Sequence, residues 1–170
     1  MSIKNVLAGL SAAAVALVMV PDAWSANQSV TANIRFDNPM TITKNQDIDF
    51  GSVQAGVADT YTISPTGVTS HSGAGAFLFG TPQAANITIS GSTTQTLNIT
   101  AGGFVASAHV TPSNATCKYG AAAAGSCTIP AAAAPGAGTT LLVGVDAAAT
   151  AATTAGTAEA PTFTLTINYN

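Results

Sequence analysis

The chain has 170 residues, of which only 6% are charged, and four basic against seven acidic side chains give a formal net charge of −3. A chain of this length holds one domain with a sizeable core and is too short for two ordinary domains. Because so few residues are basic, the surface has no electrostatic footprint for nucleic acid, and we expect no nucleic-acid partner.

The first 25 residues have the pattern of a secretory signal peptide. Lys4 supplies a positive charge, residues 6–20 are apolar and small, and Ala23 and Ser25 suit a cleavage site after Ser25. The apolar run is shorter than the ~20 residues that span a bilayer, so a retained anchor is the weaker alternative. We therefore expect an exported chain that begins at Ala26 and keeps no permanent membrane span.

Short segments with alternating apolar side chains dominate the remaining sequence. Glycine, proline and other turn residues separate them. The pattern predicts strands over residues 30–36, 40–43, 47–53, 59–64, 76–79, 86–90, 96–100, 104–106 and 139–145, and a terminal strand from Thr162. Many short strands with turn chemistry between them indicate an all-β, immunoglobulin-like antiparallel β-sandwich.

Four segments do not fit the strand pattern. Lys44 to Gln46 has the composition of a turn, and residues 120–125, 131–134 and 146–156 are rich in alanine. Alanine favours helix, but no apolar stripe recurs at helical spacing, so we expect loops with at most one or two helical turns. Asp146 is a candidate N-cap for such a short helix.

The terminal strand has the most regular alternation in the chain. Its apolar side chains fall on one face and its threonines on the other, which is the pattern of a strand with one buried face. We expect it to lie inside a sheet and to bury Phe163, Leu165 and Ile167.

Cys117 and Cys127 are the only cysteines, and both follow the predicted signal peptide. In an oxidising compartment such a pair predicts a disulfide. A metal site would need further ligands, and His71 and His109 stand alone in the sequence, so we expect neither a metal nor a cofactor.

One observation leaves an enzyme open as an alternative. Asp47 and Asp49 are close in sequence and would share one face of a strand, and glycoside hydrolysis uses paired carboxylates. A secreted carbohydrate-active enzyme would depend on this pair alone, and the rest of the sequence has no catalytic motif. We therefore expect no enzymatic activity and assign the two carboxylates to hydrogen bonds with nearby backbone or solvent.

Four short segments carry a resemblance to a known family. They are D-I-D-F-G-S-V at 47–53, T-I-S-P-T-G at 62–67, I-T-I-S-G at 87–91 and F-T-L-T-I-N-Y at 163–169. In this order and spacing they resemble the bacterial family catalogued as domain of unknown function 4402, and beyond it the pilins of chaperone-usher systems. The penultimate Tyr169, and Gly156 fourteen positions before the last residue, resemble pilins in particular, although an aromatic usually follows that glycine by two in the first family and Ala158 stands here.

The resemblance implies a sandwich that lacks one strand until a donor strand fills the groove beside its last strand. Residues 26–37 are then an N-terminal extension and candidate donor strand, and residues 38–170 form the sandwich domain. The donor side chains would be Val30, Ala32, Ile34 and Phe36. The acceptor side would be formed by Gly156, Phe163, Leu165, Ile167 and Tyr169.

On this reading the chain is a structural subunit of a secreted surface fibre, a head-to-tail homopolymer that passes through the periplasm to the cell surface. A periplasmic chaperone and an outer-membrane usher are partners implied by the resemblance only. The alternative is a self-contained monomeric adhesion or binding domain in which residues 28–36 pair within their own chain. Both readings bury the same apolar face, so the sequence leaves both open.

Overall fold

The computed structural model describes residues 28–170; the predicted signal peptide, its cleavage site and the first two residues of the predicted extension lie outside them. Within the described residues the fold has twelve strands and no helix. The strands are β1 Thr41–Gln46, β2 Ser52–Val53, β3 Asp59–Ile63, β4 Thr69–His71, β5 Phe77–Phe79, β6 Ala85–Ser90, β7 Leu97–Val105, β8 Val110–Tyr119, β9 Gly125–Ser126, β10 Ile129–Ala132, β11 Thr139–Ala149 and β12 Thr162–Tyr169. Contacts divide the chain at Arg35, and all the strands belong to the unit from Phe36 to Asn170.

The larger sheet has seven strands and is built around β11. Along one edge of β11, its first half pairs with β6 and its second half with β3, while β8 pairs along the opposite edge. β1 continues the sheet beyond β6, β4 lies beyond β3, and β9 lies beside β8. Every pairing is antiparallel.

Gly144 lies where β11 changes partner from β6 to β3. A Cβ at this position would collide with the carbonyl oxygen of Ile63 and lie 2.8 Å from the nitrogen of Pro65. Only a residue without a side chain therefore lets the end of β3 come this close, which is a known reason for glycine inside a strand.

The smaller sheet has three strands, with β7 between β10 and β12. β12 pairs with β7 from Thr162, opposite Val105, to Tyr169, opposite Leu97. A separate two-stranded sheet joins β2 and β5.

Apolar side chains from the seven-stranded and the three-stranded sheets meet in one core. The fully buried members include Ile89, Leu97, Ile99, Leu141 and Val143. Each such side chain stabilises the fold by about 1.5–3 kcal/mol relative to an exposed one. The predicted all-β, immunoglobulin-like sandwich is confirmed.

The disulfide predicted between Cys117 and Cys127 is also present. Cys117 lies in β8 and Cys127 directly follows β9, with a Cα–Cα distance of 4.8 Å. Both residues are buried in the core, so the bridge fastens the β8–β9 hairpin against it.

Several local predictions are wrong. Lys44 to Gln46 belongs to β1 and forms no turn, and in the predicted strand 47–53 only Ser52–Val53 is a strand. Residues 146–149 belong to β11, and the Asp146 carboxylate caps no helix, since it accepts hydrogen bonds from Thr62 Oγ1 at 2.7 Å and Asn114 Nδ2 at 2.9 Å.

Further segments differ from the sequence-based expectation. The sequence pattern does not predict β8, which is ten residues long, or the shorter β4, β9 and β10, and β10 extends into the alanine-rich stretch 131–134 predicted as a loop. Residues 30–36 form no strand in the chain as described.

Candidate functional site

The carboxyl-terminal strand β12 is paired along one edge only. β7 is its partner, and within residues 28–170 no strand pairs with its other edge. An open edge presents a row of unpaired backbone N–H and C=O groups that can accept a further strand. The structure therefore places an available pairing edge at the strand that the sequence singled out.

The inner face of β12 carries the four side chains that the sequence placed there. Ile167 is buried as expected, while Phe163 and Leu165, which were expected to be buried inside a sheet, are half-buried like Tyr169 and pack against the core, because β12 lies at the edge of its sheet. Phe163 also stacks on Phe104 of β7, with ring centroids 5.6 Å apart. Since three of the four remain partly exposed, this face still has apolar surface to cover.

Gly156 lies outside β12, in the loop that precedes it. Its φ of +80° falls in the left-handed region that favours glycine, and its position offers open space for a Cβ. The sequence grouped Gly156 with the terminal strand, and the structure separates it from that strand by the residues up to Pro161.

A cavity of about 500 Å³ lies where this loop meets the sandwich. Residues 49–55 line one part of it and residues 153–159 with Pro161 line another. Tyr61, Val110, Ala147 and Ala149 supply the remaining surface from β3, β8 and β11. The cavity thus adjoins the amino-terminal end of β12.

Several contacts hold the loop in place beside this cavity. The Glu159 carboxylate lies 2.8 Å from His109 Nδ1, and Gly56 donates its N–H to Thr153 Oγ1 at 2.9 Å. Hydrogen bonds from Ser107 and His109 lower the pKa of Glu159 below its usual value. The cavity is therefore bordered by a fastened segment.

At the other end of β12, the Tyr169 hydroxyl joins two distant segments. It accepts a hydrogen bond from the Ser92 N–H at 2.8 Å and donates one to the Asn38 carbonyl at 3.1 Å. Gly91 is buried against this hydroxyl, and a Cβ there would collide with it. Tyr169 thereby ties the β6–β7 turn to the residues before β1.

The predicted donor residues precede β1 and are exposed. Val30, Ile34 and Phe36 have exposed fractions of 87%, 77% and 85%, and Ala32 is also exposed. Such large apolar side chains are costly to leave in water, at about 1.5–3 kcal/mol each compared with full burial.

Asp47 and Asp49, on which the enzyme alternative depends, have separate partners. Asp47 forms an exposed ion pair with Lys44 at 2.7 Å, and Asp49 accepts a hydrogen bond from the Gly51 N–H at 2.8 Å. Asp49 also borders the cavity. Within residues 28–170, no group of three or more His, Cys, Asp or Glu side chains is arranged to hold a metal ion.

The sequence reasoning missed a buried carboxylate at Asp59. It accepts hydrogen bonds from the backbone N–H groups of Thr60 at 2.7 Å, Gly75 at 2.8 Å and Gly73, and it lies 3.0 Å from His71 Nδ1. Burial alone would raise the pKa of Asp59, but these hydrogen bonds outweigh burial and lower it. The glycine-rich stretch after His71 was the available signal, since a turn of small residues exposes amides that a carboxylate can bind.

These features together define an all-β, immunoglobulin-like sandwich with one disulfide and an open edge at its last strand. The chain belongs to the family described as Domain of unknown function (DUF4402), whose family model matches residues 40–169. No curated protein and no solved structure was found to match it. Residues 28–170 contain no helix long and apolar enough to cross a membrane.

Proposed function

We propose that this protein is a structural subunit of a secreted surface fibre, in which each copy lends residues 28–36 to the open edge of β12 in the next copy. The observation that carries this proposal is the pairing of β12 along one edge only. A head-to-tail contact of this kind does not close on itself, so it propagates into a fibre.

The open edge and inner face of β12 would both contribute to the binding of an incoming strand. A strand added to this edge would satisfy the backbone groups of β12 and cover the half-buried Phe163, Leu165 and Tyr169. An edge left open is an aggregation hazard, so the proposal also requires that the edge be covered before assembly. The periplasmic chaperone and the outer-membrane usher would do this, and they rest on the resemblance to pilins.

The segment before β1 has the properties expected of the strand that would add to the open edge of β12. Its apolar side chains alternate with polar ones, so a strand formed by it would present one apolar face. Burying Val30, Ile34, Phe36 and Ala32 would contribute roughly 5–10 kcal/mol in total, before the ladder hydrogen bonds. The predicted signal peptide and the disulfide are compatible with export to an oxidising compartment. In this role the protein needs no cofactor and performs no catalysis.

Deleting residues 26–36 from the processed chain tests the proposal. The full processed chain should form ladders on an unboiled denaturing gel and large species on a sizing column, and the shortened chain should form neither. Both should be examined alone and with a chaperone encoded beside the gene. A compact full-length monomer that forms no ladder under any condition would instead favour the self-contained adhesion or binding domain.

Single substitutions make the test sharper. Ile34→Asn removes an apolar side chain from the proposed donor face, whereas Thr31→Asn changes a polar side chain on the opposite face. Because the two faces have different roles, Ile34→Asn should lower the yield of ladders severalfold and Thr31→Asn should leave it unchanged. Equal effects of the two substitutions would show that no particular face of the segment is buried.

A further inference from the structure

The segment that leads from the extension into the sandwich is held by hydrogen bonds at two consecutive residues. Ser92 Oγ donates a hydrogen bond to Asp37 Oδ2 at 2.6 Å, and the Tyr169 hydroxyl donates one to the Asn38 carbonyl at 3.1 Å. The Ser92 N–H in turn donates to the Tyr169 hydroxyl at 2.8 Å. We call these four residues, Asp37, Asn38, Ser92 and Tyr169, the root clamp.

Ser92 is built into the fold, although it is polar. It is fully buried, and its Oγ also accepts the N–H groups of Thr94 at 3.1 Å and Gln95 at 2.9 Å. Its backbone carbonyl accepts the Gly136 N–H at 3.0 Å. A buried hydroxyl with this many partners has one orientation available, so it offers a fixed point to which Asp37 binds.

Gly91 shows how closely the parts of the root clamp are packed. A Cβ on Gly91 would collide with the Tyr169 hydroxyl and lie 3.3 Å from the Cα of Met40. The chain before β1 is therefore held at Asp37 by Ser92 of the β6–β7 turn and at Asn38 by Tyr169, and it passes close to Gly91 at Met40.

We propose that the root clamp is a positioning site that makes the joint between successive subunits rigid, an inference that rests on the proposed fibre. If residues 28–36 are held in a neighbouring copy, residues 37–40 are the only covalent link between that held segment and the body of its own subunit. Hydrogen bonds at Asp37 and Asn38 leave this link too few free torsions to act as a swivel. The root clamp thereby sets the angle between neighbours, while the donor side chains supply the affinity.

Two substitutions break the root clamp at different places. Ser92→Ala removes the buried hydroxyl, with Ser90→Ala as its control two positions earlier in β6. Asp37→Ala removes the exposed partner without opening the core, with Asp47→Ala as its control. Thermal unfolding of each variant shows whether the sandwich remains folded, and Asp37→Ala keeps the test valid if Ser92→Ala does not fold.

Electron micrographs of the fibres provide the measurement. Wild-type fibres and both controls should have one persistence length, and Ser92→Ala and Asp37→Ala fibres should be severalfold more flexible at an unchanged yield of unboiled ladders. A purely structural role of the root clamp would lower the ladder yield with the stability and leave the bending of surviving fibres unchanged.

A distance measurement checks the same claim locally. Spin labels at Arg35→Cys and Thr93→Cys, in chains diluted with unlabelled protein, should give a narrow distance distribution in wild type and a broad one in Asp37→Ala. Equal persistence lengths, or equally broad distributions, with normal ladders would overturn the root clamp and leave the proposed fibre intact. Absence of ladders in wild type would overturn both.

Discussion

Asp59 is a carboxylate that the fold buries and surrounds with hydrogen-bond donors. From the turn after β4, Gly73 donates its N–H to Asp59 Oδ1 and Gly75 donates its N–H to Oδ2, and the ring of His71 also lies on Oδ2. A Cβ on either glycine would lie within 2.7 Å of a carboxylate oxygen, so the turn closes on Asp59 only because these residues have no side chain. Asp59 therefore organises the segment between β4 and β5.

The lowered pKa of Asp59 predicts a specific pH dependence. Because the folded pKa lies below the unfolded value of 3.8, the ionised carboxylate stabilises the fold fully above that pH. This stabilisation is lost as the pH falls through the folded pKa. We expect Asp59→Asn to be clearly less stable than wild type at pH 7, and the difference in unfolding free energy to shrink below pH 3.8.

Chemical denaturation at a series of pH values measures this difference. Asp47→Asn is the matched control, because Asp47 is an exposed carboxylate whose ion pair with Lys44 contributes little to stability. If the difference in unfolding free energy between wild type and Asp59→Asn stayed constant from pH 7 to pH 2, the lowered pKa of Asp59 would be refuted.

The Tyr169 hydroxyl joins two segments that are far apart in sequence. Tyr169→Phe removes two hydrogen bonds and leaves the buried Ser92 N–H without its partner. We expect a loss of about 1–3 kcal/mol in unfolding free energy, measured by urea denaturation. Tyr169→Phe indistinguishable from wild type would mean that the hydroxyl does not hold the β6–β7 turn.

At the scale of strands, the sequence predicted those in which apolar residues alternate clearly. β3, β6 and β12 follow this pattern, and their inner residues are buried in the core or pack against it. The disulfide was equally predictable, because two cysteines allow one intramolecular pairing.

β8 was missed because Pro112 and Asn114 interrupt its alternation. Asn114 has a φ of 48°, which locally breaks the strand where the register between β8 and β11 shifts. The end of β11 was mistaken for a loop because alanine has no β preference. Pairing with β3 on one edge and with β8 on the other outweighs the low strand propensity of alanine. The local sequence gives no sign of these partners.

The change of partner along β11 predicts the effect of a substitution at Gly144. Gly144→Ala should lower the unfolding free energy by more than about 2 kcal/mol, because the new Cβ meets backbone atoms of Ile63 and Pro65, which cannot move aside without breaking β3. Gly102→Ala in β7 is the control, since a Cβ there meets nothing within 4 Å. If thermal denaturation showed equal losses of stability for Gly144→Ala and Gly102→Ala, the close approach of β3 to Gly144 would be contradicted.

The disulfide predicts a second effect at this scale. Cys117 and Cys127 are ten positions apart. Because the loop that they close lowers the entropy of the unfolded chain, the disulfide should stabilise the fold by about 3 kcal/mol. The double variant Cys117→Ser, Cys127→Ser should lose a similar amount of unfolding free energy and leave two buried hydroxyl groups. Denaturation of the wild type with and without a reductant measures the same quantity, and an unchanged midpoint would contradict it.

For the whole molecule, the sequence predicted the fold class and the family, while the proposed function depends on whether another copy pairs with the open edge of β12. A strand has the same alternating sequence pattern whether the strand that pairs with its second edge comes from its own chain or from another chain. The candidate site shares this limit: the sequence indicated the four residues of β12, but the cavity beside it is lined by residues far apart in sequence, such as Asp49, Val110 and Glu159.

Hydrogen exchange of the β12 amides tests the central claim most directly. A chain that begins at residue 37 should exchange the β12 N–H groups that face away from β7 rapidly. Adding a synthetic peptide of residues 26–36 should protect those amides at one peptide per chain, and a peptide carrying Ile34→Asn should protect them far less. If the amides exchange equally fast with and without the wild-type peptide, β12 does not accept this segment and the fibre account is wrong.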